Sequence, residues 1–251
     1  MKITVVIPNF NDIRIERALR SVEAQTLAPH EILIVDGGST NAEVLEFYRR
    51  CRADVVSEKD GGIFDALNKG VRRSSGDVVY LMGADDELSD SRVFEGVAAQ
   101  FAHQPSLDGV SIGCEFVIAS GHVIRKWYPR TVTAARMRRG LLPPHFSLFL
   151  RREIYDLVGP FKYREWGNVA CDILWLMDLA IMKPDLRIAM TSEHHLRMEY
   201  GGASTGSFSA VMNQFVVVHR YAKANARHLR QWYLYSPVRT LSKLLQFRMG
   251  N

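Results

Sequence analysis

Two adjacent carboxylates, Asp85 and Asp86, follow the apolar run Val78-Val79-Tyr80-Leu81-Met82. Neighbouring anions repel unless a cation lies between them or one holds a proton. An oxygen-only pair with few other protein ligands suits Mg²⁺ or Mn²⁺, which keep waters and bind substrate phosphates. The same pair fits a solvated acidic turn, with Asp86 or Ser89 capping the next helix. Position separates the two. A run of this length, opened by Ser75-Gly76-Asp77, reads as a buried strand. Acids just past such a strand stand where open α/β sheets bind ligands.

Other acids fall at equivalent places. Asp36 follows an apolar run over Glu31–Val35, and Asp60 follows another over Ala53–Ser57. Carboxyl ends of parallel strands share one edge, so these groups are expected to converge on one crevice. A helix over Gly62–Arg73 puts Ile63, Phe64, Leu67 and Val71 on one side and Asp65, Asn68, Lys69 and Arg72 on the other. That polar side is either functional or a solvated face with an Asp65–Lys69 pair. Gly61-Gly62 permits close backbone approach at a helix N-terminus, a common anion site. GxxxxGK[ST] is absent, as is GxGxxG after the first strand, which argues against a P-loop enzyme and a dinucleotide dehydrogenase. His145, in Pro143-Pro144-His145-Phe146-Ser147, is either a metal or diphosphate contact from the second half or a plain loop residue. His194-His195 lacks HExxH spacing and reads as structural.

The elements that must carry these groups alternate from the start. Lys2–Ile7 is a strand stopped by Pro8, and Ile15, Ala18, Leu19 and Val22 recur at helical spacing. A helix to about Cys51, strands over Ala53–Ser57 and Asp77–Met82, and a helix over Ser89–Ala102 follow. Such alternation favours a parallel sheet. From Pro105 the pattern loosens. Gly109–Ala119 and His122–Trp127 read as an antiparallel pair, Arg151–Val158 and Asp172–Ile181 as helices, and Leu186–Ala189 and His195–Glu199 as late strands. Two tail helices, Phe208–Asn225 and Leu229–Phe247, are interrupted near Pro237.

A chain of 251 residues has ample capacity for a core. Cys51, Cys114 and Cys171 lack CxxC spacing and imply neither disulfides nor zinc. No apolar stretch approaches the ~18 residues of a membrane span, and a cytoplasmic location is expected. The net charge of +5 is uneven: seven Lys and Arg and no acid follow Glu199, leaving 25 basic against 27 acidic residues before it.

These pieces resemble, together and in order, the family 2 inverting glycosyltransferases. Val5-Val6-Ile7-Pro8-Asn9-Phe10-Asn11 and the stretch from Ala18 to Thr26 look like that family's opening, and Ile34-Val35-Asp36-Gly37-Gly38-Ser39-Thr40 like its uracil-reading strand end. The stretch from Ser57 to Gly70 closely resembles the colanic-acid and O-antigen branch. Asp85-Asp86 stands where the DXD-type motif lies, although Asn is commoner than Gly83. Asp172 within Ala170-Cys171-Asp172-Ile173-Leu174, and Gly201-Gly202-Ala203-Ser204, look like the branch's base segment and C-terminal loop.

The resemblance implies an α/β protein of GT-A fold, with a mostly parallel nucleotide-binding sheet flanked by helices and a mixed acceptor-side half. It covers 1–205, divided into a nucleotide-sugar half (1–104) and an acceptor and base half (105–205); residues 206–251 form a helical basic extension. It further implies a nucleotide-sugar donor, usually a UDP-sugar, with Mn²⁺ or Mg²⁺, and a saccharide or lipid-linked acceptor. Pro8 and Asn9 would line the nucleoside pocket, Asp36 would accept from uracil, and Asp85 would face ribose and sugar. Asp60, Asp65 and Lys69 would contact sugar or diphosphate, Asp86 and His145 the metal, and Asp172 would be the general base. QxxRW is missing, so single addition is favoured over polymerisation.

Inverting transfer needs a base for the acceptor proton and a cation for the leaving diphosphate, and it requires no closely spaced carboxylate pair of the retaining kind. Asp172 could equally cap the helix it begins. A sugar nucleotidyltransferase would need a Gly-rich basic loop after the first strand, which Pro8-Asn9-Phe10-Asn11-Asp12 is not. A nucleic-acid binder using the basic tail would leave the convergent acids unexplained, so no nucleic-acid partner is expected. Val238, Leu241, Leu244 and Leu245 oppose Arg239 and Lys243, with Trp232, Tyr233 and Tyr235 upstream. That segment suits an anionic membrane surface or a helix packed on the domain.

Overall fold

The computed structural model describes residues 1–118, 120–128, 131–199 and 208–232. Its first half is β1 (Ile3–Asn9), α1 (Ile15–Glu23), β2 (Glu31–Asp36), α2 (Ala42–Arg50), β3 (Asp54–Ser57), α3 (Ile63–Arg73) and β4 (Val78–Leu81). The strands lie in the order β3-β2-β1-β4, all parallel, so their carboxyl ends form one rim. Next come β5 (Glu87–Leu88), α4 (Val93–His103), β6 (Gly109–Val117), β7 (Val123–Trp127) and α5 (Ala134–Met137). A 3₁₀ turn (His145–Ser147), β8 (Leu148–Arg151), α6 (Arg152–Val158), α7 (Tyr163–Trp166), α8 (Cys171–Met182), β9 (Ile188–Glu199) and α9 (Phe208–Ala224) follow. The sheet continues from β4 through β8, β6 and β9 to β5, with β7 on β6. There β8 is antiparallel to β4 and β6, and β9 is parallel to β6, which makes the sheet mixed.

Period-two side-chain alternation fills both faces. Val5 and Ile7 of β1 and Tyr80 of β4 join Ile15 and Leu19 of α1 and Phe94 of α4 in one core. Val6, Val79 and Leu81 face the other way, onto Leu67 of α3, Ile154 of α6 and Trp175 of α8. A third cluster holds α9 on α8 through Ile173, Met177, Val218, Tyr221 and Ala222, and includes Leu229 and Trp232.

Several sequence expectations are corrected. Pro8 does not stop β1: the strand pairs with β2 through Pro8↔Val35 and Asn9↔Asp36. The Val6 carbonyl faces β4, accepting from Met82 N, so the missing amide two residues on faces the side where β4 has ended. Neither Asp86 nor Ser89 caps α4. The helix starts at Val93, and Gln25 Oε1, just past the end of α1, takes the Phe94 amide at 3.2 Å. The two late strands are one, β9, because β6 absorbs a register shift between Ser111 and Gly113. The β8 strand was not anticipated, since four residues behind two prolines carry no readable period. In the tail α9 ends at Ala224 and helical residues resume over 226–232; the remainder of the expected basic helix lies outside the described residues. Trp232, read as a possible membrane aromatic, is 2% exposed, and its indole donates to Met137 O at 2.7 Å.

Candidate functional site

At the β1–β2 end of the rim, Asp36 is fully buried and surrounded by donors. Gly38 N (3.1 Å), Ser39 N (2.9 Å), Ser57 Oγ (2.6 Å) and Tyr48 OH (3.0 Å) all reach it, as does Ser39 Oγ. Burial alone would raise its pKa, but the bonds from Ser39, Ser57 and Tyr48 hold it below the usual carboxylate range. Asn9 Nδ2 donates to Tyr48 OH at 2.7 Å, which completes a chain Asn9–Tyr48–Asp36. Asn11 has a left-handed backbone, φ 57°, and ties two loops together. Its side chain accepts from Thr40 N (2.7 Å) and Asn41 N (2.8 Å), and its amide donates to Ser39 Oγ at 2.7 Å. Pro8 and Asn9 are buried beneath this arrangement, and Phe10 is the exposed neighbour.

The β3–α3 loop folds onto the same rim. Asp60 Oδ1 accepts from Gly62 N at 2.8 Å, while Oδ2 lies 2.9 Å from where a Gly37 Cβ would stand. Asp65 accepts from Gly61 N at 3.0 Å. Burial works to raise its pKa, but the Gly61 amide, the Tyr163 hydroxyl and Lys69 hold it below normal. Lys69 lies 3.7 Å from Asp65 and 3.3 Å from Glu58, and donates to Lys59 O at 3.2 Å. The Asp65–Lys69 pair therefore exists, but the face is not simply solvated. Asn68 is 7% exposed, bonded to the main-chain N–H and C=O of Phe161.

Beyond β4 the acid pair turns inward. Asp86 is 2% exposed and accepts from Gly83 N at 3.1 Å. A Cβ on Gly83 would lie 2.8 Å from Asp86 Oδ2 and 2.9 Å from Asp85 Oδ1, so both carboxylates flank one point and leave no room for a larger residue. Burial, then the charge of Asp85, pushes Asp86 up to about 8. Asp85 is also raised, chiefly by burial, against the pull of Arg14. These oxygens suit a hard divalent cation, and a buried carboxyl titrating so high marks a place that favours added positive charge. Among the described residues no three His, Cys, Asp or Glu side chains gather as a complete cation cage. A cation held here would take its remaining ligands from substrate phosphate and water, as Mg²⁺ commonly does.

Sequence reasoning overlooked the cations beside the pair. Arg14 lies 2.6 Å from Asp12, 3.0 Å from Glu199 and 3.9 Å from Asp85. Arg17 donates to the Asp85 carbonyl at 2.9 Å and lies 3.4 Å from Glu199. Asp12-x-Arg14 was a readable local pair. Glu199, at the far end of β9, gave no signal, because only the sheet order brings it here.

Asp172 lies in the first turn of α8 behind Ala170, the residue at the cap position, so the capping alternative is not realised. The preceding segment touches the α3 loop: Asn168 Nδ2 donates to Gly61 O at 3.2 Å, and a Gly61 Cβ would meet Tyr163 at 2.8 Å. This sets the helix that carries Asp172 against the loop that carries Asp60. His145 is placed otherwise. Its ring is 6% exposed, edge-on to Phe146, Phe161 and Trp175, with neither nitrogen hydrogen-bonded. No acid is among these contacts, and burial lowers its pKa to about 3. Glu87 lines a groove of about 630 Å³ between α1 and β5, with Arg17 and Arg20; none of Asp36, Asp60, Asp85, Asp86 or Asp172 lines it. His194 holds Asp90 at 3.1 Å, and His195 packs on Tyr128.

Comparison with known proteins places this geometry. "Glycosyl transferase family 2" matches residues 4–155, more than half of the chain. A PGL/p-HBAD biosynthesis glycosyltransferase of Mycobacterium bovis is 26% identical over 213 residues, 80% of this chain and 78% of its own. The crystal structure of residues 1–349 of S. aureus TarS in complex with UDP-GlcNAc superposes with a TM-score of 0.65 at 20% identity, covering 91% of this chain and 67% of that one. This chain spans 40% of the longer TarS crystal chain. The mannosyltransferase PcManGT of Pyrobaculum calidifontis, in complex with GDP-Man and Mn²⁺, gives a TM-score of 0.62 at 17% identity, covering 99% and 79%. The mixed sheet with its flanking helices is the GT-A fold.

Proposed function

The chain belongs to glycosyl transferase family 2, and we propose that it moves one sugar, with inversion, from a UDP-sugar to a saccharide or lipid-linked saccharide. The observation that carries this reading is the buried Asp86 beside Asp85 at the β4 end, a carboxyl pair that favours a cation, on the rim shared with Asp36 and Asp60. UDP-GlcNAc bound to TarS and GDP-Man with Mn²⁺ bound to PcManGT support a nucleotide-sugar donor and a divalent cation.

In this reading Asp86, with Asp85, would hold Mn²⁺ or Mg²⁺. When bound, such an ion offsets the negative charge on the leaving diphosphate. Asp172 takes the proton of the acceptor hydroxyl as the oxygen attacks the anomeric carbon. The new glycosidic bond forms while the bond to the diphosphate breaks, and UDP leaves. Asp65 and Lys69 offer their face of α3 to the sugar or diphosphate. With every oxygen of Asp36 already bonded within the chain, a uracil contact would displace or share one of those donors. Surface-polysaccharide assembly of the colanic-acid or O-antigen kind, at the cytoplasmic face, is the setting that the sequence resemblance supports. Residues 1–205 act as the transferase unit, and 206–251 as an extension whose last basic stretch meets anionic lipid.

Titration of the protein with UDP, GDP and dTDP in Mn²⁺, followed by calorimetry and thermal shift, tests the reading, since a ligand raises stability by mass action. UDP should bind in Mn²⁺ and lose affinity with chelator and in Asp86→Ala. Equal affinity in all three conditions would remove the metal role, and preference for GDP or dTDP would change the donor.

A further inference from the structure

Asn68 is the polar residue of α3 that the helix buries. Its Oδ1 accepts from Phe161 N at 2.8 Å and its Nδ2 donates to Phe161 O at 3.0 Å, so one side chain satisfies both main-chain groups of a residue 93 positions away. Phe161 continues the link through its ring, 5.3 Å from Phe64 of α3 and 5.5 Å from Trp175 of α8. Tyr163 and Asn168, further along the same segment, lie on Gly61. The segment between α6 and α8 is thus bonded to α3 through Asn68 and packed on the loop before α3 through Tyr163 and Asn168, before the chain reaches Asp172.

We propose that Asn68 is a positioning residue that fixes the first turn of α8, and with it Asp172, relative to the donor-side loop at 60–62. The inference rests on the reading of that loop as donor-facing and of Asp172 as base. Both hydrogen bonds run between the two halves, and a buried amide pair is directional: a shift of α3 against the loop that carries Phe161 breaks both bonds together and leaves the main-chain N–H and C=O of Phe161 unsatisfied. Ordering of the 60–62 loop by a nucleotide therefore also orders residues 159–172. A ligand contacting one half stabilises the other. Asn68 does not touch substrate in this account; it acts through Phe161.

Amide hydrogen exchange, read by mass spectrometry on the full chain with and without UDP and Mn²⁺, tests this. In the wild type UDP should slow exchange in peptides spanning 58–70 and also 159–172. In Asn68→Ala the first effect should persist and the second should shrink by about fivefold, the scale of one or two hydrogen bonds. Asn68→Thr, close in volume and able to keep one of the two bonds, should fall between; it also serves if the alanine variant does not fold. General loosening would raise exchange with and without UDP alike and would not remove the difference between them. Protection confined to 58–70 in the wild type, or an undiminished effect at 159–172 in both variants, overturns the inference and leaves the donor reading intact. No UDP-dependent change anywhere overturns the donor reading itself, and the inference with it.

Discussion

The Gly83 amide donates to Asp86 Oδ2 at 3.1 Å, so the turn that places the buried carboxylate is made by the residue whose missing side chain leaves room for it. A methyl group on Gly83 would fall within 3 Å of an oxygen of both Asp85 and Asp86. Gly83→Ala should cost about 1–3 kcal/mol through overpacking. Any divalent-dependent UDP affinity should drop about 10–100-fold, as when the support of a metal ligand is removed. Calorimetry beside urea melts checks both; unchanged affinity would show that the carboxylates do not need this packing.

Asp172→Asn preserves size and removes a base. It should leave UDP affinity near the wild-type value while turnover falls about 10²–10⁴-fold, the contribution of general-base catalysis. A steady-state comparison at saturating donor decides, and near-normal turnover would make Asp172 a helix residue only.

His145 supplies a pH dependence whose sign follows from its aromatic surroundings. Burial lowers its pKa from 6.5 to about 3, so between those values the unfolded chain binds a proton that the native ring does not. Stability from this residue is therefore complete above about pH 6.5 and is lost progressively as pH falls toward 3. His145→Phe should flatten that part of the acid limb in melts taken from pH 7 to 4. If the substitution instead abolishes stabilisation by Mn²⁺ and leaves the acid limb unchanged, His145 is a metal contact after all.

Trp232 and the residues after it should behave differently. Trp232→Ala removes a buried indole and its bond to Met137 O, with an expected loss of about 3–5 kcal/mol. Truncation before Pro237 should spare UDP binding and weaken retention on anionic vesicles at low salt, because each Lys or Arg near such a surface contributes about 1 kcal/mol. Flotation assays at two salt concentrations test this. A truncated chain that cannot bind UDP would assign the final segment to the core.

Local signals were legible wherever neighbours in sequence did the work. The one-sided spacing of Ile15, Ala18, Leu19 and Val22 fixed the buried face of α1. The short apolar runs ending at Asp36 and before Asp85 placed both acids on one rim, since parallel strands must end together. What a side chain bonds to once it is there is a different matter. Asn68, on the polar side of its helix by spacing, became a buried clamp because Phe161 arrives from 93 residues away. His145, grouped with metal ligands by its type, was enclosed by Phe161 and Trp175. Glu199 reached Arg14 because β9 runs antiparallel to β5, in a register that pairs Glu87 with Arg197 and so carries residue 199 toward Asp85. The sequence by itself determined the elements and the rim, because periodicity and turn chemistry act over a few residues. Only the tertiary structure decided which polar groups are engaged inside the protein and which remain for a ligand, because that depends on long-range packing and on desolvation within it.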